Sequence, residues 1–197
     1  YRLLIPGIGS SRAFVISPDV WTRAFVTNTR GLYHQRSGMA HEGKFSPFMK
    51  PRDLHPADGV KVYQSSCSLM DSGNGLNARG HSVANFSCLL NGRTRNLVPE
   101  AWGGYHDAGD WDRRIQHLDA TRGLIELYEL FPIAMRGVAL DIPESGNVLP
   151  DVIDEVLWGM SVFRRLQTPE GGIRGGIEAD DHPMAGETSW VHSRMLM

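Results

Sequence analysis

The chain has 197 residues, the size of one large domain or of one domain carrying a piece of another. With 22 acidic against 20 basic side chains its formal net charge is −2, which leaves no basic surface to track a phosphate backbone and excludes a nucleic-acid partner. Hydrophobic residues at 41% and charged residues at 21% describe a globular chain that fills a core, and no apolar run approaches the roughly 20 residues that span a bilayer, so no membrane partner is expected.

Residues 1–16 read as two short strands, 1–5 and 12–16, separated by Pro6-Gly7 and a Gly9-Ser10-Ser11 turn. Two strands bury no face alone, so they are expected to be the last strands of a β domain that begins before Tyr1. Ser17 as cap, Pro18 at the first helical position and Asp19 at the positive end of the dipole predict a helix. Trp21, Phe25, Asn28 and Leu32 form its face, and Gly38 is its stop. Residues 39–104 carry no sustained periodicity, so short hidden elements or a functional loop are expected there. A second helix over 112–131 sets Ile115, Leu118, Leu124, Ile125, Leu127 and Tyr128 mostly on one side. A third over 150–167 opens at Pro150-Asp151 and carries Val152, Ile153, Val156, Leu157, Met160, Phe163 and Leu166. Thr168-Pro169-Glu170-Gly171-Gly172 ends it, and 172–178 reads as a short extended piece. Cys67 and Cys88 are expected to be free and buried. The chain starts at Tyr1 and stops at Met197, and both ends read as cuts in a longer polypeptide.

The densest constellation is Trp102-Gly103-Gly104-Tyr105-His106-Asp107-Ala108-Gly109-Asp110-Trp111-Asp112-Arg113-Arg114. Three carboxylates lie within six residues, between glycines that allow a tight turn. Asp107 and Asp110 are then expected to converge on one point ahead of a helix that begins near Asp112. Paired carboxylates suit water activation at an acetal carbon, and aromatic faces suit sugar rings. Spacing alone leaves two readings open, a structural turn and a catalytic pair. An EF-hand calcium loop fails, because its twelfth residue would be Leu118 or Thr121 instead of glutamate. Asp112 by itself reads most simply as a helix cap. No complete dinucleotide loop, phosphate loop or serine nucleophile elbow occurs.

The run from Gly103 to Asp110 closely resembles the signature of glycoside hydrolase family 9, a cellulase family with a barrel of six helical hairpins. Pro6-Gly7-Ile8-Gly9-Ser10 with Phe14-Val15-Ile16 is similar to the exit of that family's N-terminal immunoglobulin-like domain. Leu32-Tyr33-His34-Gln35-Arg36-Ser37-Gly38 is similar to its first barrel helix. Leu149-Pro150-Asp151-Val152-Ile153-Asp154-Glu155, continuing through Gln167 to Gly171-Gly172, is similar to a later helix and the turn after it. The resemblance implies a mainly α fold: 1–16 as the end of the immunoglobulin-like domain, and 17–197 as the N-terminal portion of an (α/α)6 catalytic domain, truncated at its C-terminal side. It implies an inverting β-glycoside hydrolase acting on β-linked glucan or gluco-oligosaccharides. Asp110 would be the general base and Asp107 would hold the nucleophilic water. The general acid would be a glutamate beyond Met197, since neither Glu155 nor Glu187 sits in a matching motif.

Asp180-Asp181-His182 followed by Trp190 resembles the family's Asp-His pair and the tryptophan that line its subsites. His182 would hydrogen-bond sugar hydroxyls, Trp190 would stack on a ring, and His106 would reach substrate or brace the turn. Trp190 lies eight residues past His182, farther than in the usual cellulases, which favours an oligosaccharide pocket or exo action over a long open cleft. Some members bind zinc; at those ligand positions stand Ser37, Leu54 and Arg113, with only His55 retained, so no metal is expected and no cofactor either. The competing reading is a non-catalytic carbohydrate-binding relative, against which the intact Asp107 and Asp110 argue. A purely structural helical domain requires the motif to be accidental. The family implies a secreted or periplasmic protein, and the missing N-terminus leaves the cytoplasm open.

Overall fold

The computed structural model describes residues 1–67, 87–107, 111–112, 115–179 and 194–196. Strands β1 (Leu4–Ile5) and β2 (Gly9–Ser10) form an antiparallel hairpin with Leu4 opposite Ser10 and Ile5 opposite Gly9. Its turn is Ile5-Pro6-Gly7-Ile8, closed by the Ile8 N–H on the Ile5 carbonyl at 3.0 Å. Gly7 stands at φ +76°, as the second central position of a type II turn requires. The turn therefore falls earlier than Gly9-Ser10-Ser11, and those first two residues are strand. Residues 12–16 run back beside Tyr1, whose carbonyl accepts the Phe14 N–H at 2.9 Å.

Helix α1 (Thr22–His34) begins later than the Ser17 cap predicts. Ser17 Oγ instead accepts the Asp19 N–H at 3.2 Å and holds a turn ahead of the helix. Trp21, expected inward, precedes the first helical residue and is 78% exposed. The helix buries Thr29 and Tyr33, packs Phe25, Val26 and Leu32 beside them, and ends before Gly38.

The aperiodic stretch holds β3 (Val62–Ser65), α2 (Ser87–Gly92) and β4 (Arg93–Leu97). The expected 112–131 helix divides into β5 (Trp111–Asp112), a 3-10 turn at Ile115–His117 and α3 (Leu118–Leu130). Asp112 is thus a strand residue opposite Ile177, and the helix-cap reading is corrected. Then come α4 (Pro132–Arg136), α5 (Asp151–Arg165), β6 (Ile177–Ala179) and β7 (Arg194–Leu196). Five of the strands join in one sheet, ordered β4-β3-β7-β6-β5, in which only β3 and β7 run parallel. Helices still carry most of the regular structure among the described residues, in keeping with the mainly α expectation; of the sheet, only the extended piece expected at 172–178, which overlaps β6, had a sequence signal.

Helix α5 links two cores. Val152 and Val156 in its first half join Tyr33, Leu124, Val138, Leu140 and Ile142. Val162 and Phe163 in its second half join Val62, Ala101, Ile177 and Leu196 on the sheet. Gly159 lets α3 and α5 approach: a Cβ there would lie 2.4 Å from Thr121 Cγ2 and 2.7 Å from Tyr105 Cε2. Leu157 and Met160, also carried by this helix, are 45% and 42% exposed and lie outside the stripe of Val152, Val156, Val162 and Phe163. The first turn of α5 carries Asp151 and Asp154 and its last turn Arg164 and Arg165, each favourable to the helix dipole. Cys67, expected free, is disulfide-bonded; pairing depends on a distance that a cysteine count does not carry. Among the described residues no helix is long and apolar enough to cross a membrane.

Candidate active site

The stretch from Gly104 to His106 lies along residues 35–37, where the chain leaves α1. The His106 N–H donates to the Gln35 carbonyl at 2.7 Å, and the Ser37 N–H donates to the Gly104 carbonyl at 2.9 Å. Arg36 and Tyr105 form the antiparallel bridge between these two bonds. The Gly104 carbonyl takes a second donor, Trp158 Nε1, at 2.9 Å. Gly103 and Gly104 stand at φ +87° and +72°, where side chains are strained. A Cβ on Gly103 would also lie 2.4 Å from Arg165 Nη2, so the arginine would have to shift. Arg165 donates to the Trp102 carbonyl and lies 3.8 Å over the Trp102 ring.

Beneath this stretch is a buried ionic cluster. The Arg36 and Glu155 side chains are both fully buried, joined Nε to Oε1 at 3.3 Å and Nη2 to Oε2 at 3.0 Å. Nη1 of Arg36 donates to both carboxylate oxygens of Glu144, at 3.0 and 3.1 Å. The guanidinium also lies over the rings of Trp158, at 4.6 Å, and Tyr33, at 5.2 Å. Tyr105 Oη donates to Glu155 Oε1 at 2.9 Å, so the residue two before Asp107 is tied to α5. Burial pushes the Glu155 carboxyl upward, opposed by the Arg36 charge and by hydrogen bonds from Arg36 and Tyr105. Such a cluster is costly to desolvate and holds because each member is paired.

A second buried carboxylate braces the histidine. Asp53 Oδ1 accepts the Gly38 N–H at 2.9 Å, and Oδ2 meets His106 Nε2 at 2.9 Å together with Lys50 Nζ. Burial raises the Asp53 pKa, but the hydrogen bonds and charges of His106 and Lys50 outweigh it and hold the carboxyl at about 2. The folded value lies below the ordinary 3.8, so the stabilisation is complete above pH ~4 and is lost as pH falls towards 2. The expected loss, about 2 kcal/mol for a shift of this size, is absent in an Asp53→Asn variant. Unfolding measured in denaturant between pH 5 and pH 2 checks it; parallel pH profiles for the two proteins would refute it.

Asp107 follows His106 directly and is exposed. Asp110, His182 and Trp190 lie outside the described residues, as does the expected meeting of Asp107 with Asp110. Of the two roles expected of His106, the described contacts are those of a brace. Sequence reasoning missed Arg36, Asp53 and Tyr105 as supports. Glu155 did leave a signal, a carboxylate inside the apolar stripe between Val152 and Val156. Its full burial leaves it no route to a substrate. His55 Nδ1 accepts the Ala57 N–H at 3.1 Å, and its ring packs on Trp102 with centroids 4.7 Å apart. Neighbouring Leu54 is buried and offers no electron pair. These residues do not fit a zinc site, and among the described residues no group of three or more His, Cys, Asp or Glu is placed to hold a metal ion.

No family model matches the chain. Endoglucanase D of Acetivibrio thermocellus is 27% identical over 175 residues, 88% of this chain and 24% of that protein. The xyloglucan-specific endo-beta-1,4-glucanase of Bacteroides ovatus is 24% identical over 165 residues, 83% of this chain and 24% of that protein. The chain thus spans about a quarter of the length of these curated relatives. Among solved structures, a metagenome-derived glycoside hydrolase family 9 endoglucanase matches 95% of this chain and 30% of its own, with TM-score 0.66 and 28% identity. The GH family 9 endoglucanase J30 matches 97% of this chain and 32% of its own with TM-score 0.70; at 19% identity that likeness shows the fold alone.

Proposed function

We propose, on the premise that the relatives of this chain in sequence and in fold are glycoside hydrolase family 9 proteins, that it belongs to an enzyme hydrolysing β-linked glucan or gluco-oligosaccharides. Asp110 is the general base that takes a proton from water, Asp107 holds that water, and the glycosidic bond is cleaved with inversion. His182 and Trp190 contact sugar, and the helices belong to an (α/α)6 barrel. The observation that carries the reading is the anchoring of Gly103–His106. Main-chain bonds to residues 35–37 and the Tyr105–Glu155 bond deliver Asp107 to the surface at the end of a stretch held on both sides. Preorganisation of this kind is what a water-activating carboxylate needs. The Cys67 disulfide supports a secreted or periplasmic location.

The test is the full-length protein incubated with xyloglucan, barley β-glucan and cello-oligosaccharides, with reducing ends counted and the first-formed anomer read by proton NMR. Reducing ends that first appear in the α configuration are expected. Release of the β anomer first removes the inverting assignment, and no release from any of these substrates removes the hydrolase.

A further inference from the structure

We propose that Asp53 is a positioning residue for this hydrolysis, acting through His106 to hold Asp107 in register. The inference rests on the reading of Asp107 as the carboxylate that holds the water.

The Asp53 side chain is 1% exposed, yet it receives donors from three separate segments. The Gly38 N–H comes from the turn after α1, Lys50 from the strand-like pair of His41 with Lys50, and His106 Nε2 from the motif. One carboxylate therefore sets the distance between the exit of α1 and the residue adjoining Asp107. His106 is held at two points, its main-chain N–H by Gln35 and its ring by Asp53. With both fixed, the peptide leading to Asp107 has little freedom left. The carboxylate acceptor at 2.9 Å also keeps a proton on Nε2, which sets the ring's tautomer. Lys50 shares the same carboxylate oxygen, so the buried negative charge is paired independently of His106. The histidine is needed here for its geometry. Displacements of about 1 Å at a reacting group cost up to ~10²-fold in rate, so a support one residue away is expected to be felt in kcat.

The experiment compares wild type, Asp53→Asn, His106→Asn and the double variant in the full-length protein on a soluble β-glucan. Asp53→Asn is expected to lower kcat about 10- to 100-fold with KM within threefold, because the bound sugar is not touched. The double variant is expected to be no worse than the more damaging single one, since both remove the same support. Long-range proton–nitrogen spectra are expected to show His106 protonated on Nε2 in wild type and altered in Asp53→Asn; the resonance is assigned by its absence in His106→Asn. An active wild type with Asp53→Asn at full kcat overturns this proposal alone, as do independent multiplicative effects in the double variant. A wild-type His106 carrying its proton on Nδ1 overturns it whatever the activity. A wild type that releases no sugar overturns the hydrolase reading first, and this inference with it.

Discussion

Glu155→Ala is expected to cost about 3–5 kcal/mol of stability, because it leaves the buried Arg36 guanidinium with one remaining carboxylate. Arg36 is fully buried, and Glu144, its other partner, has a side chain 31% exposed that cannot replace the lost bidentate pair. Tyr105 Oη loses its carboxylate acceptor in the same substitution and keeps the main-chain carbonyl of residue 155, at 3.1 Å. At about 2–4 °C per kcal/mol for a domain of this size, the unfolding midpoint should fall by roughly 10 °C. Arg36→Met combined with Glu155→Leu should recover much of this, since neither charge is then left unpaired. Thermal and denaturant unfolding of wild type and the two variants decide the matter. A loss below about 1 kcal/mol in Glu155→Ala would show that the cluster carries little stability.

Asp110→Asn is expected to lower kcat by ~10²–10⁴ while leaving KM within about threefold. The amide preserves size and hydrogen-bonding reach, but it does not take the proton that the attacking water must lose. Asp107→Asn should cost less, because an amide oxygen still orients a water even where it withdraws no proton. Steady-state kinetics on a cello-oligosaccharide separate the two. Asp110→Asn within threefold of wild-type turnover would remove that residue from the mechanism. Equal losses at both positions would mean that the two carboxylates share the proton.

The three long helices were legible in the sequence because their cause is local. Val152, Val156 and Phe163 recur on one face of α5, and Pro150 with Asp151 marks its start wherever the segment packs. The Gly103-to-Asp110 run stood out because its eight residues resemble a family signature, whereas its spacing alone left a structural turn and a catalytic pair open. Its supports were hidden for the opposite reason. Arg36 and Glu155 are 119 positions apart and Asp53 and His106 are 53 apart, and a charged residue read alone looks like a solvated one. Only the packed chain brings them together out of water, where each must find its partner or pay desolvation. The sheet follows the same rule. Its strands are two to five residues long, too short to display a period of two, and β3 pairs with β7 from the far end of the chain, Val62 opposite Arg194. Helical periodicity belongs to neighbours along the chain and was readable from the sequence alone. The sheet, the buried ion pairs and the bracing of His106 depend on distances across the fold, which only tertiary structure sets.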